Sequence, residues 1–160
     1  LIAMGARAHL ASPRGHRDVP VESLFRDDGI SYLTKDHDEV LTDVVLPPVA
    51  GWRTHYGKLR RRGTFDFPVL GVATALRFEG DRVAEARIVL NGVGSAPIRC
   101  TEAEGSLLGR RVDAEAAKAA GEIAFRPAKP LDNTDFENAW RKKMVKVYVR
   151  DGLLAVAASR

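Results

Sequence analysis

The chain has 160 residues, of which 45% are hydrophobic and 29% charged, a balance typical of one globular domain or two small ones. Its net charge of +4 comes from basic residues interspersed with acidic ones, without an aromatic and basic RNA-binding motif, so we expect no nucleic-acid partner. The single cysteine, Cys100, excludes internal disulfides and cysteine-rich metal centres, and no apolar run approaches the ~20 residues of a membrane span.

The first 50 residues predict three strands and one helical turn. The segments ARAHLAS and HRDVPV flank the turn signal PRG, which predicts a β-hairpin. SLFRDDG predicts a helical turn that ends at Gly29, and VLTDVVLP predicts a strand that ends at Pro47 and Pro48. The composition changes at PPVAG, so we place a domain boundary there and expect two units, residues 1–50 and 51–160.

The second unit opens with strands. WRTHYGKLRRR predicts one strand, and FPVLGVATALRFEG and RVAEARIVLNGV predict a hairpin around Glu79-Gly80-Asp81. GSAPIRC predicts a further strand or turn. This unit then ends in helices, an order that predicts an α+β fold in which C-terminal helices pack against an antiparallel sheet.

Two helices are predicted at the C-terminal end. DAEAAKAAGEIAF predicts a helix capped by Asp113, and TDFENAWRKKMVKVYVRDGLLAVAA predicts a helix opened by a capping box from Thr134 to Glu137. The second helix is expected to bury an apolar face and to present a solvated basic face, for which docking against an acidic partner is the alternative. The apolar face comprises Phe136, Trp140, Met144, Val147 and Tyr148, and the basic face Arg141, Lys142, Lys143, Lys146 and Arg150.

The segment THYGKLRRRGTFDFP contains the main candidate site. Residues two apart on a strand share a face, so Tyr56, Lys58, Arg60 and Arg62 are expected to point the same way. A tyrosine beside a lysine can stack on a planar ring and supply the positive charge that stabilises an anionic reduced flavin. The spacing alone favours a simpler interpretation, an exposed basic strand without a ligand, and both interpretations stay open.

Other motifs do not support catalysis by this chain. NGVGSAP has two glycines after a strand, but Pro97 stands where a dinucleotide-binding helix would begin. The four histidines share no metal-ligand spacing, and Gly-x-Ser-x-Gly does not occur. We therefore predict neither a metal site nor catalytic residues.

Three long runs resemble a known family. LFRDDGISYLTKDHDEVLTDVVLPP, YGKLRRRGTFDFPVLGVATALRFEGDRVAEARIVLNGVGSAPIRCTEAEGSLLG and AKPLDNTDFENAWRKKMVKVYVRDGLLAV resemble the medium, FAD-carrying subunit of the molybdenum hydroxylases. This family includes carbon monoxide dehydrogenase, xanthine dehydrogenase and 4-hydroxybenzoyl-CoA reductase, and LFRDDG and DFPVLGVA look most similar to the reductase's β subunit. The family's glycine-rich FAD loops, AGGTD and TIGGN, do not occur here. The resemblance thus implies the end of a second FAD-binding subdomain over residues 1–50 and a C-terminal domain over residues 51–160.

The resemblance also implies which residues lie at the flavin. Leu41 matches a leucine that touches FAD, Lys58 matches a lysine near the flavin, and Tyr56 matches an aromatic position that can cover the isoalloxazine. Arg62 and Asp66 match a polar loop beside the ring. We expect these five residues to lie at the flavin, with the cationic strand as one wall of its pocket.

The resemblance implies a role in electron transfer. FAD would relay electrons between the iron–sulfur clusters of a small subunit and an external carrier, while a large subunit with a molybdenum cofactor transforms the substrate, an aromatic acyl-CoA thioester for the reductase-like match. This implies a hetero-oligomer, and we expect this chain alone to be inactive. The alternative function is a non-catalytic docking module derived from the same domain.

The ends and the cysteine content suggest the setting of the chain. It opens with Leu1 in place of an initiator methionine, so we expect a piece of a longer protein. LIAMGARAHL has no charged leader and turns polar early, so we expect no signal peptide. Together with the single cysteine, this predicts a cytoplasmic protein.

Overall fold

Two antiparallel sheets and three α-helices organise the described part of the chain, residues 1–63 and 65–159 of a computed structural model. The predicted α+β class is confirmed. The first sheet has the order β2-β1-β3, with β1 at Arg7–Ser12, β2 at Gly15–Pro20 and β3 at Val40–Val45. The predicted β1–β2 hairpin is confirmed, since the two strands on either side of the turn segment pair along their whole length.

The predicted helical turn before β3 is shorter than expected. A 3-10 helix covers Val21–Leu24, and the backbone becomes extended at Phe25, which forms an isolated bridge with Leu33. The Asp28 carboxylate accepts hydrogen bonds from the N–H groups of Ile30 and Ser31, which makes a local turn. The prediction that a helical turn ends at Gly29 is therefore wrong, because side-chain and bridge contacts compete with helix continuation.

The second sheet has the order β4-β5-β6-β7. Its strands are β4 at Trp52–Leu59, β5 at Leu70–Glu79, β6 at Arg82–Asn91 and β7 at Ile98–Arg99. The predicted hairpin around Gly80 is confirmed: Gly80 adopts φ 62°, a left-handed conformation that glycine allows without strain. A short helix that the sequence analysis missed, α1 at Thr101–Gly105, follows β7.

One face of the second sheet holds the main core, as the predicted packing of helices on the sheet requires. Leu70, Val72 and Leu76 of β5 pack with buried residues of β6 and of the helices α2, at Ala114–Ala124, and α3, at Asn138–Ala158. The predicted cap of α2 is confirmed, since the Asp113 carboxylate accepts a hydrogen bond from the Ala116 N–H at 2.8 Å. No helix among the described residues combines the length and apolarity that crossing a membrane requires.

The start of α3 differs from the prediction. The helix begins at Asn138, and its N-cap, Glu137, makes no capping side-chain hydrogen bond among the described residues, so Thr134 and Glu137 do not form a capping box. Phe136 lies before the helix at φ 70° and contacts the Trp140 ring, with centroids 4.9 Å apart. Both rings are exposed rather than buried in the core.

The buried face of α3 also differs from the prediction. Apart from Arg141, the face toward the sheet carries valine, leucine and glycine in place of aromatic residues, and such side chains let the helix approach the strands closely. Met144 and Tyr148 of the predicted apolar face only pack at the edge of this core, and Val147 is half-buried. The buried residues of α3 are Arg141, Val145, Val149, Gly152, Leu153 and Val156.

Arg141 contradicts the prediction of a fully solvated basic face. Its side chain is buried, and its guanidinium donates to the carbonyl oxygens of Val69 at 3.1 Å, of Leu131 at 2.8 Å, and of Gly92. Burial lowers the pKa of Arg141. The cation is tolerated inside because these carbonyl dipoles replace water as hydrogen-bond acceptors. It therefore joins three loops at one end of the second sheet.

Candidate functional site

The two faces of the edge strand β4 have different surroundings. His55 and Gly57 face α3: a Cβ at Gly57 would lie 2.9 Å from the Tyr148 ring, and His55 lies close to Gly152. Tyr56 therefore lies on the opposite face, as does Lys58 two residues further along. The structure confirms that these two predicted residues share a face.

Small residues of β5 form the floor beside Tyr56 and Lys58. Lys58 is in register with Gly71, which pairs on its other side with Asn91, and Tyr56 is in register with Ala73. The Tyr56 phenol leans toward Gly71, and its hydroxyl oxygen lies 2.7 Å from where a Cβ on Gly71 would stand. The hydroxyl end of the ring thus lies over Gly71, the middle residue of the row Lys58, Gly71 and Asn91.

This face has the chemical groups that a flat, electron-rich ligand requires. Tyr56 is 54% exposed and offers an aromatic surface, and Lys58 offers a positive charge beside it. Gly71 has no side chain and Ala73 has only a methyl group, so the Tyr56 ring can lie close to the sheet. Asn91 is exposed at the end of the row and carries an amide that can both donate and accept hydrogen bonds.

Arg60 and Arg62 do not continue this face, which corrects the prediction of four residues in line. β4 ends at Leu59, whose carbonyl accepts the N–H of Val69 and so closes the loop between β4 and β5. One oxygen of the Asp66 carboxylate accepts the N–H groups of Arg61 at 3.1 Å and Arg62 at 2.9 Å. These hydrogen bonds turn the chain away from the strand path.

The Asp66 carboxylate serves the loop itself. Its other oxygen accepts the Phe67 N–H at 3.0 Å and lies 3.6 Å from the Arg62 guanidinium. The pKa of Asp66 is lowered, chiefly by the hydrogen bond from the Arg62 N–H. Asp66 is thus held ionised with its oxygens directed at backbone donors, whereas the Arg62 side chain is exposed.

Leu41 lies in a different sheet from these residues. It belongs to β3 in the first sheet, in register with Leu10 next to an irregularity in the β1–β3 pairing. Its side chain is exposed, as are those of Val40 and Val45 on the same strand. The structure therefore brings Tyr56 and Lys58 together, and places Arg62 and Asp66 in the following loop and Leu41 in the other sheet.

Gly71 and Asn91 were missed by the sequence analysis. A glycine inside a strand often marks a close approach of another group, and this signal was present in the segment FPVLGVATAL. Asn91 carries no comparable local signal, because only the β5–β6 register brings it to the Lys58 row.

Other chemistry is limited in the described part of the chain. No group of three His, Cys, Asp or Glu side chains there could hold a metal ion. Burial is the main cause that raises the pKa of Cys100 to about 12, which leaves its thiol protonated and unreactive. Tyr56 and Lys58 with their β5 floor therefore form the candidate site.

Known proteins are similar to this chain in both sequence and fold. Residues 54–156 match the family described as the CO dehydrogenase flavoprotein C-terminal domain. The glyceraldehyde dehydrogenase medium chain of Sulfolobus acidocaldarius is 26% identical over 159 residues, which cover 98% of this chain and 55% of that protein. The carbon monoxide dehydrogenase medium chain of Afipia carboxidovorans is 28% identical over 148 residues, 92% of this chain and 50% of that protein.

A solved structure extends the likeness to three dimensions. Carbon monoxide dehydrogenase from Hydrogenophaga pseudoflava matches with a TM-score of 0.90 and 30% identity, over 98% of this chain and 54% of that chain. The chain spans about half the length of the curated relatives that it matches.

Proposed function

The chain belongs to the CO dehydrogenase flavoprotein C-terminal domain family, and on that basis we propose that it is the second half of an FAD-carrying medium subunit of a molybdenum hydroxylase-type oxidoreductase. Residues 1–50 would end the second FAD-binding subdomain, and residues 51–160 would form the C-terminal domain. The observation that carries the proposal is the family match over residues 54–156, because this range includes the β4 face with Tyr56 and Lys58.

The residues of this face fit a flavin. Bound FAD would supply the capacity to accept and release electrons. The Lys58 ammonium would favour the negative charge of reduced flavin, and the Tyr56 ring would cover part of one flavin face. We propose further that Leu41 contributes an apolar contact, that Arg62 contributes a charge from the loop, and that Asp66 acts by holding this loop.

We propose the parent enzyme's assembly and substrate from the same relationship. The medium subunit would exchange electrons with a small iron–sulfur subunit and an external carrier, beside a large molybdenum-cofactor subunit, in the cytoplasm. The carbon monoxide dehydrogenase of Hydrogenophaga pseudoflava is an enzyme with a molybdenum cofactor, although the matched form lacks the Mo-pyranopterin moiety, and this supports the molybdenum-cofactor partner. The similarity of LFRDDG and DFPVLGVA to 4-hydroxybenzoyl-CoA reductase supports an aromatic acyl-CoA thioester as the substrate.

FAD titration of the protein that joins this chain to the first half of a medium subunit tests the site. We expect Tyr56→Ala to raise the FAD dissociation constant about fivefold, because an aromatic contact is lost. We expect Lys58→Ala to make the flavin potential about 30 mV more negative, equivalent to a tenfold weaker preference for reduced over oxidised flavin. Calorimetry and a redox titration measure the two effects.

Two variants serve as matched controls. Trp140 is an exposed aromatic residue of α3 and lies outside the β4 face and outside residues 1–50, so Trp140→Ala should leave FAD affinity unchanged. Lys118→Ala, on the exposed side of α2, should leave the flavin potential unchanged. Unchanged affinity and potential in Tyr56→Ala and Lys58→Ala would show that the site assignment is wrong. Absence of FAD binding by the joined protein would favour the docking-module alternative.

A further inference from the structure

Gly71 lies directly beneath the Tyr56 phenol. A Cβ at this position would stand 2.7 Å from the Tyr56 hydroxyl oxygen and 3.4 Å from its Cε2 atom. Carbon and oxygen atoms without a hydrogen bond do not approach to 2.7 Å without a strong steric penalty. The absence of a side chain at residue 71 therefore decides whether the phenol can lie this close to the sheet.

The surroundings restrict where a displaced ring could go. Asn91 lies on the far side of Gly71, with its Cβ 3.4 Å from the same point, and Ala73 is the cross-strand partner of Tyr56. The sheet itself lies below the phenol. A methyl group at residue 71 would therefore move the ring outward, away from the sheet and into the space above the Lys58 row.

We propose that Gly71 is a positioning residue for the flavin site: it seats the Tyr56 phenol against β5 and keeps free the space in which the flavin ring lies. This inference rests on the proposed function for the role of that space. The close contact of the Tyr56 phenol with Gly71 of β5, called the seat below, is a property of the β4–β5 pair and can be tested without flavin. Gly71 acts on the flavin site through Tyr56 and is not itself proposed to contact the cofactor.

The first test is an unfolding cycle on the complete, FAD-free protein that contains this chain. We expect Gly71→Ala to lower the melting temperature by only about 2–3 °C, because the methyl group overlaps the exposed end of the Tyr56 side chain, which can turn outward. Tyr56→Phe removes the oxygen at 2.7 Å and leaves the ring atom at 3.4 Å, an ordinary contact after a small adjustment. In that background the loss caused by Gly71→Ala should shrink to about 1 °C or less.

The second test measures FAD binding by the same four proteins, namely the parent protein, Gly71→Ala, Tyr56→Phe and the double variant. We expect Gly71→Ala to raise the FAD dissociation constant about tenfold, since the lifted phenol occupies space that the flavin needs. Adding Tyr56→Phe should restore the constant to within about threefold of the Tyr56→Phe protein. A general loss of structure would not be relieved by removing one hydroxyl group.

Gly57→Ala is the matched control for both tests. Gly57 is a strand glycine on the other face of β4, where a Cβ would meet the Tyr148 ring at 2.9 Å. Its effect on the melting temperature should be the same with Tyr56 and with Phe at that position. Equal relief of Gly57→Ala by Tyr56→Phe would overturn the proposed seat.

The two tests separate the failure of the seat from the failure of the proposed function. If Gly71→Ala costs the same with and without the Tyr56 hydroxyl, or if the double variant also fails to fold, the seat is wrong. If the unfolding cycle shows the coupling but FAD affinity does not respond to Gly71→Ala, the seat holds and its role in flavin binding is wrong. If neither the parent protein nor any of the variants binds FAD, the proposed function is wrong.

Discussion

Glu39 links two parts of the first sheet through one buried carboxylate. Its side chain is only 5% exposed and accepts two hydrogen bonds from the Arg17 guanidinium, at 2.5 and 2.8 Å, and one from the Asp36 N–H. These contacts, above all the Arg17 hydrogen bond, lower the pKa of Glu39 from its ordinary value of 4.5 to about 2. A carboxyl group whose pKa is lower in the folded state stabilises the fold above its unfolded pKa and loses this contribution as pH falls toward the folded pKa.

We therefore expect the stability that depends on Glu39 to be lost between about pH 4.5 and pH 2. Glu39→Gln cannot ionise, so its melting temperature should be lower at neutral pH and should change less across this interval. Circular dichroism melts at a series of pH values measure the difference. Glu79→Gln is the control, because Glu79 is largely exposed and its contact with Arg77 is 4.0 Å long. An identical pH slope in wild type and Glu39→Gln would contradict the expectation.

At the scale of elements, glycines let α2 and α3 pack closely. Gly121 of α2 faces the backbone of α3, where an added Cβ would lie 2.7 Å from the Lys146 carbonyl oxygen. Gly152 of α3 lies in the same way against Thr74 of β5 and His55 of β4. The helices and the sheet therefore meet at positions without side chains, and the apolar side chains around these positions fill the core.

Gly121→Ala is expected to destabilise the protein by about 1–3 kcal/mol, although alanine is the better helix former by about 1 kcal/mol. The reason is that the overlapping atom belongs to the backbone of α3 and cannot rotate away. Denaturant unfolding gives the free energy difference. Gly105→Ala in α1 is the control, because no described atom lies within 4 Å of the added methyl group. A Gly121→Ala protein at least as stable as wild type would refute this packing argument.

At the scale of the whole molecule, Arg87 links the second sheet to the start of the chain. Its guanidinium lies 4.4 Å from the centroid of the Trp52 ring and donates a hydrogen bond to the Ala3 carbonyl at 3.3 Å. Gly5, at φ 69°, leaves the space that this guanidinium occupies. An apolar cluster of Ala3, Ala75 and Val89 completes the contact.

Arg87→Ala is therefore expected to loosen the first sheet selectively. We expect amide hydrogen exchange in β1 and β3 to rise about tenfold, with little change in β5 and β6, because the helices still cover the main core. Hydrogen-exchange mass spectrometry resolves the two sheets. Arg53→Ala is the control, since Arg53 makes a similar contact with the Phe78 ring at 4.9 Å on the face toward the helices. An equal rise in both sheets after Arg87→Ala would show that the sheets open together.

Local signals were sufficient for much of this architecture. The two hairpins, the Asp113-capped helix and the shared face of Tyr56 and Lys58 follow from alternation, turn residues and capping, which act between residues close in sequence. These interactions involve few residues and depend little on the rest of the fold. They also determine the order of strands and helices, and with it the α+β class.

Tertiary structure decided the features that depend on residues far apart in sequence. The helical period of α3 allowed two faces, and the fit of Val145, Val149 and Gly152 against the sheet selected one. Arg141 is buried because it reaches carbonyls of Val69, 72 residues earlier, and of two other loops. Likewise, the end of β4 at Leu59 and the contact of Tyr56 with Gly71 exist only once β5 has paired with β4. Periodicity shows which residues can be buried together. Only the elements packed against them decide which residues are buried, because burial and hydrogen bonding depend on atoms from distant segments.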